Sequence, residues 1–308
     1  MPTPQDLDRH AVRRQFARRA DRLPRADFLL REVERRMLEK LDVVRLVPGA
    51  VLDAGTGLGH GAARLQQRFP QARVLGVDLA AALAARAAQL HGPPAHRSLA
   101  ARLRGWFGGE RAADVPAPMF CAADTGRLPL AASSIDLVWS NLAWHWFADP
   151  PAVLDEWYRV IRPDGLLGFS AFGVDTLSEL RGAGARLPGY PDMHDIGDAL
   201  AQAGFADPVM DCERLTITWD DPAVLLDELR ALGGVALRGR AAGLRGRRWR
   251  EQVLATLASM RGADGRIALT FELVYGHAWC PPRKRRADGY APLDFVPRAG
   301  GRSGKPPA

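Results

Sequence analysis

The stretch Val51-Leu52-Asp53-Ala54-Gly55-Thr56-Gly57-Leu58-Gly59 reads as an apolar strand running into a glycine-rich turn, with a helix expected from about Gly61 to Phe69. Glycines at alternate positions let the backbone turn sharply and approach a ligand closely, because no Cβ stands in the way. A turn of this kind, opening a helix at the carboxyl end of a strand, is where doubly wound α/β sheets hold nucleotides. The next strand, Arg73 to Leu79, carries Asp78 about 20 residues on, where a carboxylate can take both ribose hydroxyls.

Outward from this loop, strand and helix periods alternate. Ala80 to Leu90 reads as a helix, Met119 to Ala123 and Ile135 to Leu142 as strands, and Ala152 to Ile161 as a helix. The turn Arg162-Pro163-Asp164-Gly165 feeds a strand from Leu166 to Phe172. Further on come a helix over Asp192 to Gly204, strands over Glu213 to Trp219 and Ile267 to Trp279, and helices over Asp221 to Leu232 and Trp249 to Met260. Alternating strands and helices predict an α/β fold: a central, mostly parallel seven-stranded sheet with helices on both faces. Upstream, Phe28, Leu29, Val33, Met37, Leu38 and Leu41 recur at helical spacing, so residues 1–45 are expected to form an N-terminal helical lid on a domain spanning 46–280. Residues 92–117, with Trp106 and Phe107, break the rhythm as an insertion, and the Pro/Gly/Arg-rich residues 281–308 read as a basic disordered tail.

Composition excludes several classes. Of 308 residues, 47% are hydrophobic and 25% charged, which rules out wholesale disorder. No apolar run is long enough to span a bilayer. The start, MPTPQDLDRH, has acids where a signal peptide needs a basic, then apolar, stretch, so a cytoplasmic location is expected. Cys121, Cys212 and Cys280 are odd in number and widely spaced, so they read as small buried apolar residues, with neither a disulfide framework nor a metal site. The net charge of +7 is concentrated: the tail from Pro281 holds seven Lys/Arg against two Asp. A second cluster, Arg238, Arg240, Arg245, Arg247, Arg248 and Arg250, can steer an acidic protein as readily as a nucleic acid.

The glycines alone do not choose a cofactor. Counted from Gly55, the third glycine of the dinucleotide fingerprint is replaced by His60, although a register through Gly57, Gly59 and Ala62 fits the loose form. Asp53 separates the readings. The pattern Asp-x-Gly-x-Gly-x-Gly resembles the first motif of class I, Rossmann-like S-adenosylmethionine-dependent methyltransferases, in which the acid orders the loop and the cofactor's amino-acid end. The resemblance implies S-adenosyl-L-methionine as cofactor. It places Asp53, Gly55, Thr56, Gly57 and Gly59 at the loop and Asp78 and Leu79 at the ribose. Asp124 and Thr125 then stand beside the adenine, and Asn141 and Leu142 beside the methyl donor. Arg159 to Gly165 is similar to the family's turn before strand five, with Arg159 expected in a structural ion pair.

Four further segments resemble the malonyl-acyl-carrier-protein O-methyltransferases of biotin synthesis, over about Arg13 to Trp279. They are Ala26 to Val33, Trp139-Ser140-Asn141-Leu142-Ala143-Trp144-His145-Trp146, Phe169 to Leu177, and Asp192-Met193-His194-Asp195-Ile196-Gly197-Asp198. That family implies methylation of the free carboxylate of a malonyl thioester. A carboxylate of pKa about 4 is already ionised at neutral pH, so no general base is required. The protein must align the reacting atoms and exclude water. No residue stands out as catalytic; Phe16, His145, Phe172, Arg181 and His194 are the positioning candidates, with Trp144 and Trp146 as further lid aromatics. A forked arginine is one way to hold the carboxylate, and Arg13, Arg14 and Arg181 are all open for it. An acidic acyl carrier protein is the expected partner, for which the arginine cluster is suited. Three positions depart from the family: Leu23 stands where a tyrosine is usual, Thr56 where a cysteine is frequent, and the stretch from Arg181 to Asp192 is short. The alternatives are a methyltransferase of another small carboxylic acid and a non-methylating or hydroxylating relative of the complex I assembly factors. Nucleic acid is disfavoured, because Asn141-Leu142-Ala143-Trp144 replaces the Asn-Pro-Pro-Tyr-like segment of nucleic-acid methyltransferases.

Overall fold

Seven strands form one sheet: β1 (Ala50–Ala54), β2 (Arg73–Asp78), β3 (Met119–Ala122), β4 (Ile135–Ser140), β5 (Ile161–Phe172), β6 (Ala206–Trp219) and β7 (Ile267–Trp279). Their order is β3-β2-β1-β4-β5-β7-β6. The first five are parallel, and β7 runs antiparallel between β5 and β6. The computed structural model describes residues 7–93, 116–183, 185, 187–233 and 246–282. Residues 94–115 of the 92–117 insertion, residues 283–308 of the tail from Pro281, and Arg238, Arg240 and Arg245 therefore lie outside the described residues.

Helices flank the sheet: α1 (Arg9–Ala17), α2 (Phe28–Lys40), α3 (His60–Arg68), α4 (Ala81–His91), α5 (Pro150–Val160), α6 (Ser178–Gly182), α7 (Met193–Gln202), α8 (Pro222–Ala231) and α9 (Arg247–Ser259). Every residue of β1 is buried, as expected of a parallel strand covered on both faces. On one face Leu29, Val33 and Met37 of α2 pack with Leu65 of α3 and Leu225 of α8 against Val51, Leu137 and Phe271. Burying each of these α2 side chains contributes about 1.5–3 kcal/mol. On the other face Leu154 and Trp157 of α5 and Leu200 of α7 pack against Val138, Leu167 and Phe169. The chain thus leaves β1 towards one face and β4, its neighbour, towards the other. Loops that part in this way open a crevice at the carboxyl ends of the two strands.

Two segments differ from the sequence reading. β6 begins at Ala206, seven residues before the expected Glu213. Asp207 and Pro208 mask the strand locally. The sheet tolerates them because β6 is an edge strand, and the pairing shifts register between Ala206 and Val209, with Asp207 at φ +49°. β5 likewise begins at Ile161, with its Arg162–Gly165 turn absorbed as a register shift against β4 and pinned to Cys280 by two backbone hydrogen bonds. The cysteines also divide: Cys280 is buried, Cys121 is half-buried, and Cys212 is exposed, its thiol donating to Glu272 on the open face of the edge strand.

Candidate active site

The loop after β1 is shaped by its glycines. Gly55, at φ +81°, has no room for a Cβ, which would lie 2.8 Å from the Ala143 methyl. Gly57, at φ +54°, would meet nothing within 4 Å, so its backbone borders open space. The loop is laced to β2: the Gly55 and Thr56 amides donate to the Val77 carbonyl, and the Gly57 amide donates to Asp78 Oδ2 at 3.0 Å. Asp78 Oδ1 accepts from the Ala80 amide at 2.8 Å. Burial pushes the Asp78 carboxyl up to about 6, against the pull of these two amides. At neutral pH it is an ionised, fixed acceptor at the mouth of the loop.

Behind the loop lies a buried pair of acids. Asp53 accepts from the Thr56 hydroxyl at 2.6 Å. Glu34, from α2, is only 2% exposed and accepts from the Trp139 indole at 2.9 Å. Both carboxylates close on Gly61, where a Cβ would sit 3.1 Å from each. Burial, and then the charge on Asp53, raises the Glu34 carboxyl well above its ordinary range, so it carries a proton under conditions where most glutamates have lost theirs. Arg64 and the side chains of Trp139 and Asn141 oppose that shift without cancelling it. A small recess, lined by Asp27, Arg31, Glu34, Asp53, His60 and Asn141 among others, joins this pair to the loop. His60, which breaks the dinucleotide pattern, sits between Asp27 Oδ2 at 3.1 Å and His91 at 3.2 Å.

The recess shares Leu30, Gly55, Gly57 and Asn141 with a cleft of about 450 Å³. Of the residues expected at the cofactor, Gly55, Gly57, Asp78, Leu79, Asp124, Thr125, Asn141 and Leu142 line the cleft, and Asp53 and Thr56 line the recess. Gly59 lines neither; its Cβ position is filled by the Phe120 ring and Ala87. Asn141 and Leu142 are fixed by a short network. The Asn141 amide donates to the Leu30 carbonyl, while the Ser170 hydroxyl donates to Asn141 Oδ1 and accepts from the Leu142 amide. That network holds Leu142 in the left-handed region at φ +47°, a conformation an L-residue adopts only under constraint. Asp124 caps the Gly126 amide and forms an ion pair with Arg9 of α1.

The far end of the cleft is aromatic. Phe16, His145, Trp146, Phe147 and Phe172 line it, with Leu23 and Leu232. Phe16 meets Trp146 edge to face at 5.0 Å. The His145 ring contacts Trp146 and Phe172, each at 4.8 Å, and Tyr190 at 5.8 Å. It is 4% exposed, and burial pulls its pKa down to about 3, so the imidazole is neutral. Arg181 and His194 are placed elsewhere: both are exposed and outside the cleft lining, and the His194 amide completes the Asp192 cap of α7. Trp144 is core, packed on Phe169 at 5.5 Å. The segment from Arg159 to Gly165 is structural as expected, with Arg159 paired to Glu156 and Arg162 to Asp136.

Sequence reading missed Glu34, Arg9, Arg31 and Tyr190. Glu34 left a signal: with Leu30 four residues before, Met37 three after and Leu41 seven after, it is a carboxylate on the apolar stripe of α2. Tyr190 left none, since the loop that carries it has no period.

A mostly parallel sheet with a glycine loop after β1, an acid closing β2 and a cleft at the β1/β4 switch point is the architecture of Rossmann-like S-adenosylmethionine-dependent methyltransferases. Residues 52–169 match the family model described as a methyltransferase domain. The fold is shared with the YcgJ protein of Bacillus subtilis, at a TM-score of 0.55 and 16% identity over 82% of this chain and 99% of that one. A protein of Bacillus halodurans gives a TM-score of 0.53 at 14% identity, covering 81% of this chain and 99% of the other. Among curated relatives, the malonyl-[acyl-carrier protein] O-methyltransferase of Methylovorus sp. strain MP688 is 45% identical over 95% of this chain and 96% of its own length. That of Laribacter hongkongensis is 44% identical over 95% and 97%. This chain belongs to the malonyl-[acyl-carrier protein] O-methyltransferase family.

Proposed function

We propose that this chain methylates the free carboxylate of a malonyl group carried on an acyl carrier protein, in biotin synthesis. The observation that carries the reading is the continuity of one cleft, with carboxylates and open backbone at one end and an aromatic chamber at the other. S-Adenosylmethionine, when bound, supplies an electrophilic methyl group on a sulfonium. The residues present suit it: Gly57 leaves the backbone open, Asp78 offers an ionised acceptor for hydroxyls, and the acid pair with Arg31 provides both signs of charge for an amino-acid end. Asn141 and Leu142 border the junction between the two ends, where methyl transfer would take place. α1 and the turn at Leu23 act as a lid, since Arg9, Val12, Phe16 and Leu23 line the cleft from above the sheet's carboxyl edge. The lid and the aromatic wall exclude water, and the chain contributes alignment in place of a general base.

The carrier is read as an acidic partner docking near the start of α9, where Arg247, Arg248 and Arg250 are exposed. Among the described residues, no helix is long and apolar enough to cross a membrane. Labelled methyl transfer from S-adenosylmethionine to malonyl-acyl carrier protein, scored by mass, tests the reaction. Gain of one methyl group on the malonyl unit is the expected result. Cofactor binding with no such gain would move the acceptor to another carboxylic acid. For the docking face, Arg248→Glu with Arg250→Glu should raise KM for the carrier-bound substrate and spare a coenzyme A thioester; equal effects on both would remove α9 from the interface.

A further inference from the structure

The aromatic chamber contains a buried polar atom that the described fold leaves unpaired. His145 Nδ1 is buried with no hydrogen-bond partner among the described residues. The ring lines the cleft, and its neighbours are the rings of Trp146, Phe172 and Tyr190. Burial is the cause of its depressed basicity, and the Tyr190 ring beside it feels the charge of Arg181. A buried polar atom without a partner costs about 1–3 kcal/mol, which an aromatic residue in its place would avoid. Phenylalanine would make the same ring contacts. An imidazole at this point is explained by something that enters the chamber and takes its hydrogen bond.

We infer that His145 is the group that orients the acceptor carboxylate, and that it does so as an uncharged hydrogen-bond donor. This rests on the malonyl reading of the acceptor and adds how that carboxylate is held. In the transfer, a carboxylate oxygen forms the new O–C bond as the S–C bond breaks, its electron pair remaining on sulfur. One negative and one positive charge disappear together, leaving a neutral ester and a neutral thioether. The transition state is therefore less charged than the bound reactants. A full cation forked onto the carboxylate would stabilise the reactants more than the transition state and slow the step. A neutral N–H fixes direction without that excess, and the surrounding rings keep water from solvating the anion.

The test uses His145→Phe and His145→Gln in the full chain, with wild type alongside. Phenylalanine keeps the rings and removes both nitrogens; glutamine restores an amide N–H on a similar stem. S-Adenosylhomocysteine affinity should stay within about twofold in both, because the cofactor end is untouched. For malonyl-acyl carrier protein, kcat/KM should fall about 100-fold in the phenylalanine variant and recover about tenfold of that with glutamine, the scale of losing one oriented group. Affinity for malonyl-carrier should drop about tenfold with phenylalanine, while that for acetyl-carrier, which lacks the carboxylate, should not change. A purely structural role would move both carriers together. The proposal is overturned if the phenylalanine variant keeps kcat/KM within about threefold of wild type, or if malonyl and acetyl carriers weaken alike. Should phenylalanine also abolish S-adenosylhomocysteine binding, glutamine decides against alanine: activity well above His145→Ala supports the role, and activity equal to it removes the role. Failure of wild type itself to methylate malonyl-carrier would instead overturn the acceptor reading, and this inference with it.

Discussion

At one end of the cleft, Gly55, Gly57, Asp78 and the buried Glu34–Asp53 pair present backbone amides and carboxylates, each already held by a hydrogen bond or a steric limit. At the other end, Phe16, His145, Trp146 and Phe172 present rings from separate segments, packed ring against ring. The first end comes mostly from one unbroken stretch, β1 to β2, and needs special backbone geometry. The second is assembled from α1, the turn after β4 and the end of β5, and rests on complementary shape, with His145 as its one directional group. Directional bonds make the cofactor end intolerant of substitution. Dispersion contacts spread their energy over many atoms, so the ring packing of the acceptor end should yield gradually, His145 apart.

The largest effect should come from Gly55→Val. The left-handed φ and the 2.8 Å approach of Ala143 leave no place for a branched side chain. S-Adenosylhomocysteine affinity should fall more than about 100-fold, or about 3 kcal/mol, by calorimetry. Phe172→Leu, at the aromatic end, should leave that affinity within about twofold. Similar losses from both would erase the contrast between the ends.

Next is the buried acid pair. Because the folded protein raises Glu34 above its ordinary value of 4.5, the native state holds a proton that the unfolded chain has released at neutral pH. Stability of the cofactor-free protein should therefore fall as pH rises from 4.5 towards the raised native value, by up to about 1.4 kcal/mol per pH unit for this one group. Asp53 and Asp78, both raised by burial, add the same sign at the acid end of the window. Glu34→Gln should flatten the dependence towards neutral pH in denaturant melts; an unchanged slope would mean the glutamate is ionised in the fold.

Smaller still is Phe16→Ala, which removes the edge-to-face contact with Trp146. About 1 kcal/mol of lost packing should appear as a roughly fivefold rise in KM for the acceptor, with cofactor affinity unchanged. A matching loss of cofactor affinity would tie the two ends together more closely than their construction suggests. Smallest is Arg9→Ala. Arg9 is half exposed, so its pair with Asp124 contributes less than about 1 kcal/mol. Cofactor affinity should fall by less than about fivefold, and the difference should vanish in high salt.

The parts of this molecule legible beforehand share a short-range cause. β1 is written as a short, mainly apolar run, α5 by its apolar spacing from Ala152, and the loop between β1 and α3 by its glycines. Asp207-Pro208 concealed the start of β6 because local signals report a proline's missing donor and say nothing of whether the strand lies at an edge, where that donor is not needed. Arg181 and His194 have the right chemistry for a site, yet they sit on the exposed sides of α6 and α7, a fact no spacing records.

The sequence by itself determined the sheet, the switch point and the chemistry of the cofactor loop, because strand period, left-handed glycines and strand-end acids are properties of a few consecutive residues. Tertiary structure alone decided that Glu34 of α2 shares buried space with Asp53, 19 positions away, and that His145 ends among Trp146, Phe172 and Tyr190. Burial and proximity are set by how distant elements pack. They fix the protonation of Glu34 and the neutrality of His145, because the cost of charge depends on what surrounds a group and not on its neighbours in the chain.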